Sequence, residues 1–312
     1  MIKIGIIGTD SKVFQAGKLV RNIEGFQVSG CYGDESLMLK EQADLYQFEV
    51  FDSCGSLSEK SDAVIINAGT PDYFNIISNC LRNFKHVFVV DANCLRQPDF
   101  VYYQKLAEES NVCFYPEFGF KGASVLDVLS EYKADLQFVD IRHSLGGSNK
   151  LRFGSSLSSL LINDLTFLYG VTHANVQRVN ANGWNFNPAG TGMISARFDF
   201  DNAVLANLLV LNSGSCEDFQ MVLYTRSVLV KVLCAEEKFI ISRESLSGTK
   251  MESTGMEVSS AIALKRELQL FLMSVNNDLL MTRLDVKGQA LRTSFLIQEK
   301  INQLISPDIF SS

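Results

Sequence analysis

The chain lacks a long apolar run, a run of like charge, a paired-cysteine motif and more than a few histidines, and each absence removes a class of function. No uninterrupted apolar segment approaches the roughly 20 residues that a membrane helix needs. Met1 leads straight into a strand-like segment without a basic leader, so no signal peptide is expected and the cytoplasm is the expected compartment. The seven cysteines, Cys31, Cys54, Cys80, Cys94, Cys113, Cys216 and Cys234, are odd in number, scattered and never in CxxC spacing. That disfavours a disulfide scaffold or a zinc site and predicts reduced thiols in a core. A net charge of −7 and a pI near 5.1 argue against nucleic acid or anionic membrane as main partner, since both select a basic face. With only His86, His143 and His173, no Ser-His-Asp or Cys-His arrangement and no metal-ligand spacing emerges, so no metal is expected.

What is present is enough apolar material for two domains: 312 residues, 46% hydrophobic and 20% charged. Up to about residue 115, short apolar runs alternate with helical patterns. Strands are predicted at 2–7, 27–32, 49–51, 63–67, 86–90 and 112–115, with helices at 14–23, 37–46, 73–83 and 98–110. Apolar strands alternating with helices imply crossover connections and a doubly wound parallel sheet covered on both faces. After Pro116 the pattern changes. A helix at 123–132, a strand at 137–144 and a helix at 157–168 precede the alternating runs "MISARFDF", "AVLANLLVL", "QMVLYTR" and "SVLVKVLC", the first two joined by an Asp201-Asn202 hairpin turn. Two amphipathic helices, 263–275 and 287–305, close the chain. The expected second domain is α+β, built on an open, mostly antiparallel sheet, with domains at 1–117 and 118–312.

The order of "KIGIIGT", "DAVIINAGTPDYFN", "KHVFVV" and the closing "NNDLLMTRLDVKGQALRTSFLIQEKI" resembles the Gfo/Idh/MocA oxidoreductases over essentially the whole chain. The resemblance implies a Rossmann domain that binds NAD or NADP, a second domain for substrate and for pairing into homo-oligomers through its sheet, and hydride transfer to or from a sugar, polyol or related small hydroxy compound. The apolar "VLANLLVL" fits a covered sheet face.

The motifs depart from that family in three places. In "GIIGTDSKV", Gly8 supplies the tight turn and Thr9 follows it, but Asp10 and Val13 stand where two more glycines belong. Asp10 tolerates left-handed backbone, though its carboxylate opposes a diphosphate. Ser11 is read as the helix cap, Lys12 as a partial offset of charge, and Val13 as a bulk that pushes the helix from the strand unless packing adjusts. Asp34, after the second strand, is placed to hold an unphosphorylated ribose, which favours NAD over NADP; an exposed turn carboxylate is the alternative. Asn67, Thr70 and Pro71 form the turn expected beside the cofactor.

The other two departures concern proton transfer. The family's Glu-Lys-Pro triplet after the next strand is replaced by Val90, Asp91 and Ala92, so no strand-end ammonium is available to a developing alkoxide and Asp91 replaces the glutamate at most. On "SSLSSLLINDLTFLYG" no register yields the family's helix histidine: Leu161 or Leu160 takes its place, and Asp164 alone remains. The serines 155, 156, 158 and 159 enclose a polar pocket or cap the helix. His143 ends a strand, and Lys121 lies at the domain junction. The catalytic candidates are therefore Asp91, Asp164 and Lys121. Two functions follow: an NAD(P)-dependent oxidoreductase lacking the usual Lys and His, or a non-catalytic sensor or partner protein that binds a small molecule or nucleotide on the same fold.

Overall fold

The computed structural model describes residues 1–33, 37–70, 72–92, 95–119, 122–145, 153–187, 190–212, 218–235, 238–245, 252–257, 259–276 and 281–304. The chain divides into two compact units, Met1–Gly119 with Ala261–Leu284, and Phe120–Ser260 with Asp285–Ser312.

In the first unit the elements alternate: β1 (Ile2–Ile7), α1 (Ser11–Val20), β2 (Phe26–Tyr32), α2 (Leu37–Tyr46), α3 (Cys54–Glu59), β3 (Ala63–Asn67), α4 (Tyr73–Arg82), β4 (His86–Val90), α5 (Gln97–Glu109) and β5 (Phe114–Pro116). The strands form one sheet in the order β2-β1-β3-β4-β5, every neighbouring pair parallel. Ile4, Ile6, Ile7, Val64, Ile65 and Ile66 are wholly buried, as expected of strands covered on both faces. The order reverses direction between β1 and β3, the switch point at which open parallel sheets leave a crevice beyond their carboxyl ends.

Residues 49–51 are not a strand. Only an isolated bridge joins Val50 to Cys31, because Phe48 and Phe51 turn inward as core side chains. A helix, α8 (Ser260–Asn276), which the sequence reading leaves with the second domain, completes the core of the first unit from Ala261 onward. Phe271 stacks on Phe26 and meets Phe88 edge-on, and the Tyr115 hydroxyl donates to buried Glu267 at 2.8 Å.

The second unit carries an eight-stranded sheet in the order β13-β12-β11-β10-β6-β9-β8-β7. Its strands are β6 (Leu136–Leu145), β7 (Val176–Asn187), β8 (Gly190–Phe200), β9 (Leu205–Asn212), β10 (Asp218–Thr225), β11 (Val228–Ala235), β12 (Lys238–Ser245) and β13 (Glu252–Glu257). All neighbours pair antiparallel except β6 with β9. The β8–β9 hairpin turns at Asp201–Asn202 as the sequence implies. Helix α6 (Ala123–Leu129) and the long α7 (Phe153–Thr172) cover one face, with Leu161, Leu165 and Leu168 buried against Val139 and Ile141. Helix α9 (Met281–Leu304) adds Ile297 and Ile301 to the same core. On the other face, Phe138 and Tyr224 pack ring to ring at 5.6 Å, and Tyr224 and Leu233 are exposed.

None of the described cysteines, Cys31, Cys54, Cys80, Cys113 and Cys234, is in a disulfide. Among the described residues there is no cluster of His, Cys, Asp and Glu fit to hold a metal ion and no helix long and apolar enough to cross a membrane.

Candidate functional site: the phosphate turn and its neighbours

The β1–α1 turn is built around one residue in left-handed backbone, Gly8 at φ 121°, whose amide donates to the Tyr32 carbonyl at 2.8 Å and so ties the turn to the end of β2. A side chain at this position would strain the backbone and sit 2.7 Å from the Thr70 hydroxyl. Gly8, Thr9 and Asp10 of this turn, Met38 at the start of α2, Asn67 at the end of β3, and Gly69 and Thr70 beyond it line a cavity of about 260 Å³ at the switch point. Met38 and Gly69 were not singled out in the sequence. Met38 is the second residue of α2, and Gly69 lies within the "NAGTP" segment.

Several expectations for the turn are corrected. Asp10 is not left-handed: at φ −70°, ψ 141° it is extended, the usual geometry of a helix N-cap. Ser11 is the first helical residue and not the cap. The Asp10 carboxylate accepts the Lys12 amide at 2.7 Å, so the donor that a phosphate would take at this helix start is held by the chain's own anion. Nor does Val13 lift α1 off the sheet. It is fully buried, and close approach comes one turn later at Gly17, where any side chain would collide with Ile6 Cδ1 and crowd Phe48. The close helix–strand contact that the third fingerprint glycine provides has moved four residues along the same helix face.

Asn67 is buried and uses its side-chain oxygen to accept the Gly69 amide at 2.5 Å, so it shapes its own turn. The Thr70 amide bonds the Asn67 carbonyl, and Thr70 accepts the Tyr73 amide as α4 begins. Asp34, Pro71 and Lys121 lie outside the described residues, as do the side chains of the serines at 155, 156, 158 and 159.

Just beyond β4, Asp91 adopts φ 57°, a left-handed conformation uncommon for most side-chain-bearing residues and better tolerated by aspartate and asparagine. It is held there by Glu117 at the end of β5: the Ala92 amide donates to the Glu117 carbonyl at 2.7 Å, and the Asp91 amide to the Glu117 carboxylate at 3.4 Å. That carboxylate also accepts the Gly119 amide, and Glu117 is buried. The sequence reading passed over Glu117, although a carboxylate ending a strand in "FYPEFG" was a signal. The Asp91 side chain meets the Lys12 ammonium at 2.7 Å. The positive charge missing from the β4 sequence is therefore supplied from α1. Burial on its own lowers the Lys12 pKa, but the Asp91 hydrogen bond and the nearby charges of Asp91, Asp10 and Glu117 outweigh it and raise the pKa above its ordinary value, so Lys12 is a firmly protonated donor.

Asp164 stands elsewhere, in the core of the second unit. Its Oδ1 lies 2.9 Å from Nδ1 of His143 on β6, the ring of Phe219 packs edge-on against the imidazole, and both polar residues are buried. Oδ2 of Asp164 is buried without a hydrogen-bond partner among the described residues. Burial pushes its pKa up, with His143 opposing. The sequence considered His143 and Asp164 separately, and the structure pairs them.

No family model matches the sequence, and no curated protein does. Solved structures match over the full length. A UDP-N-acetylglucosamine 3-dehydrogenase from Acidithiobacillus ferrooxidans is 15% identical, with 98% of this chain and 99% of that one covered and a TM-score of 0.79. A scyllo-inositol dehydrogenase from Lactobacillus casei is 18% identical over 97% and 96% of the two chains, with a TM-score of 0.71. A biliverdin reductase from Synechocystis, solved with biliverdin and NADP+, is 16% identical over 96% and 99%, with a TM-score of 0.68. At these identities the likeness is one of fold, and the fold is that of the Gfo/Idh/MocA-type dehydrogenases.

Proposed function

We propose that the chain is a divergent Gfo/Idh/MocA-type protein whose first unit binds a nicotinamide dinucleotide and which acts as an oxidoreductase on a small hydroxy compound. The supporting observation is the cavity of about 260 Å³ at the switch point, lined by Gly8, Thr9, Asn67, Gly69 and Thr70. The backbone suits the group: Gly8 leaves open the space that a Cβ would fill, and the turn delivers the start of α1 to the cavity. The side chains alter the electrostatics without closing the cradle, since Asp10 and Asp91 bring negative charge and Lys12 brings positive charge.

When bound, a nicotinamide supplies hydride transfer. The chain's part is to place the diphosphate at the α1 turn and the ribose beside Asp34 at the end of β2. In this reading Asp34 favours NAD over NADP, Pro71 stiffens the Thr70 turn, and Lys12, reaching from α1 to Asp91 beyond β4, is the protonated donor that offsets the charge of the diphosphate. Lys12 is firmly protonated, so it donates a hydrogen bond and does not act as a base. Loss of a dedicated acid or base lowers rates by ~10²–10⁴-fold and leaves slow chemistry intact. Asp164 is assigned a structural role because it is enclosed with His143. A sugar or polyol remains the substrate class that the fold relatives suggest. Pairing of two copies through the open face of the eight-stranded sheet follows from the exposed Tyr224 and Leu233.

Titration of the purified protein with NADH and NADPH, followed by calorimetry or by quenching of exposed Trp184, tests the reading. Saturable binding of either supports it. Absence of binding up to millimolar ligand overturns it and leaves a non-catalytic binder of another small molecule. Light scattering that returns a monomer overturns the pairing.

A further inference from the structure

The charged groups around the phosphate turn are already satisfied by one another. The Lys12 amide is bonded to Asp10 at 2.7 Å, and the Lys12 ammonium is bonded to Asp91 at the same distance. We propose that Asp10 and Asp91 are the resident anions of this turn, and that a dinucleotide diphosphate enters only by exchange, with Lys12 leaving Asp91 to meet the phosphates. The inference rests on the dinucleotide reading above and deepens it.

The two sides of the ion pair differ in freedom. The backbone of Asp91 is fixed in its left-handed conformation by hydrogen bonds to Glu117 from its own amide and from that of Ala92, so the residue does not retreat. Lys12 carries its charge on a flexible four-carbon stem, and the side chains of the pair are 55% and 40% exposed. A pair so open to water is inexpensive to break, so the moving part is Lys12. The obstacle to binding is what stays behind. Asp91 gives up the Lys12 ammonium while Asp10 and Glu117 remain close by, and among the described residues a diphosphate arriving there meets these three carboxylates and the ammonium of Lys12. The turn therefore selects against the most highly charged part of the cofactor. It leaves the recognition of an uncharged nucleoside, which does not touch these groups, unaffected.

The test compares the full-length protein with Asp91→Asn and Asp10→Asn. Asparagine tolerates left-handed backbone and caps helices, so both variants keep the turn. Calorimetry with NADH and, in parallel, with adenosine reads the result. Each variant is expected to bind NADH roughly tenfold more tightly, the effect of removing one nearby like charge at a solvated site, with adenosine unchanged. In the Asp91→Asn background, Lys12→Met is expected to abolish the gain. If NADH binds the unaltered chain as tightly as it binds the two Asn variants, or if adenosine affinity moves in step with NADH, the exchange is wrong while the dinucleotide reading stands. If none of the folded variants binds NADH or NADPH at millimolar concentration, the dinucleotide reading fails and the exchange fails with it.

Discussion

Two carboxyl contacts of nearly equal length, one to an ammonium and one to an imidazole, occupy opposite environments. Lys12–Asp91 spans 2.7 Å at the rim of the parallel sheet with both side chains about half exposed, whereas His143–Asp164 spans 2.9 Å in the core of the second unit with 10% and 1% exposure. Distance alone would make them equivalent. Solvent separates them. The first pair is screened by water and can trade partners with a ligand. The second was assembled at a desolvation cost, so breaking it leaves a buried polar group with no described side chain to replace its partner. The unit that resembles a binding site holds its charges loosely, and the unit that resembles a scaffold holds them rigidly.

The largest effect expected comes from breaking the buried pair. His143→Ala leaves Asp164 enclosed without its hydrogen-bond partner and a gap where the ring was, and is expected to cost about 3–5 kcal/mol in urea unfolding. A loss below about 1 kcal/mol would show that the pair is as dispensable as its exposed counterpart. The anchor of α1 comes next. Gly17→Val forces a branched side chain into Ile6 and Phe48, an overpacking of the kind that costs about 1–3 kcal/mol, whereas an unaltered melting curve would mean that α1 does not rest on β1 at this point.

A smaller, graded effect is expected from pH. Burial raises the Asp164 pKa in the folded chain above its ordinary value of 3.8, with His143, the titratable group facing it among the described residues, pulling the other way. The folded chain therefore binds a proton more tightly there than the unfolded chain does. The stability tied to that proton is complete below the ordinary carboxyl pKa and is lost as pH rises through the raised value. Unfolding free energies measured upward from pH 4 should show this decline, and Asp164→Asn should remove it. A variant that keeps the same slope would assign the decline to other groups.

The strands of the first sheet and the position of the crevice were legible because covered parallel strands leave continuous apolar runs, and β1, β3 and β4 are such runs. The other sheet was legible only in its middle. β7, with its "VNANGWN", and β13, with "ESTGME", form the two edges and are largely polar, so their pairing is fixed by neighbours and not by their own pattern. Glu49–Phe51 misled for the opposite reason, since two aromatic side chains that fill a core resemble a strand in projection. At the candidate site, Gly8 and Thr70 could be read from motif order. Val13 was judged without the glycine one turn beyond it, and the Lys12–Asp91 pair joins residues 79 apart through the fold, a separation that no local pattern encodes.

The smallest effect expected is the one that sharpens the comparison most. Lys12→Met removes the exposed ion pair while keeping an aliphatic stem on α1, and it leaves the Asp10 cap in place because that bond uses the backbone amide. Asp91, accessible to water, needs no replacement partner once Lys12 is gone. The unliganded chain should therefore lose less than about 1 kcal/mol in urea unfolding, and the small difference from the unaltered chain should shrink further as salt is added. A loss approaching that of His143→Ala, insensitive to salt, would mean that the rim pair is structural after all, and that the charges of the phosphate turn are fixed too firmly for any ligand to exchange with them.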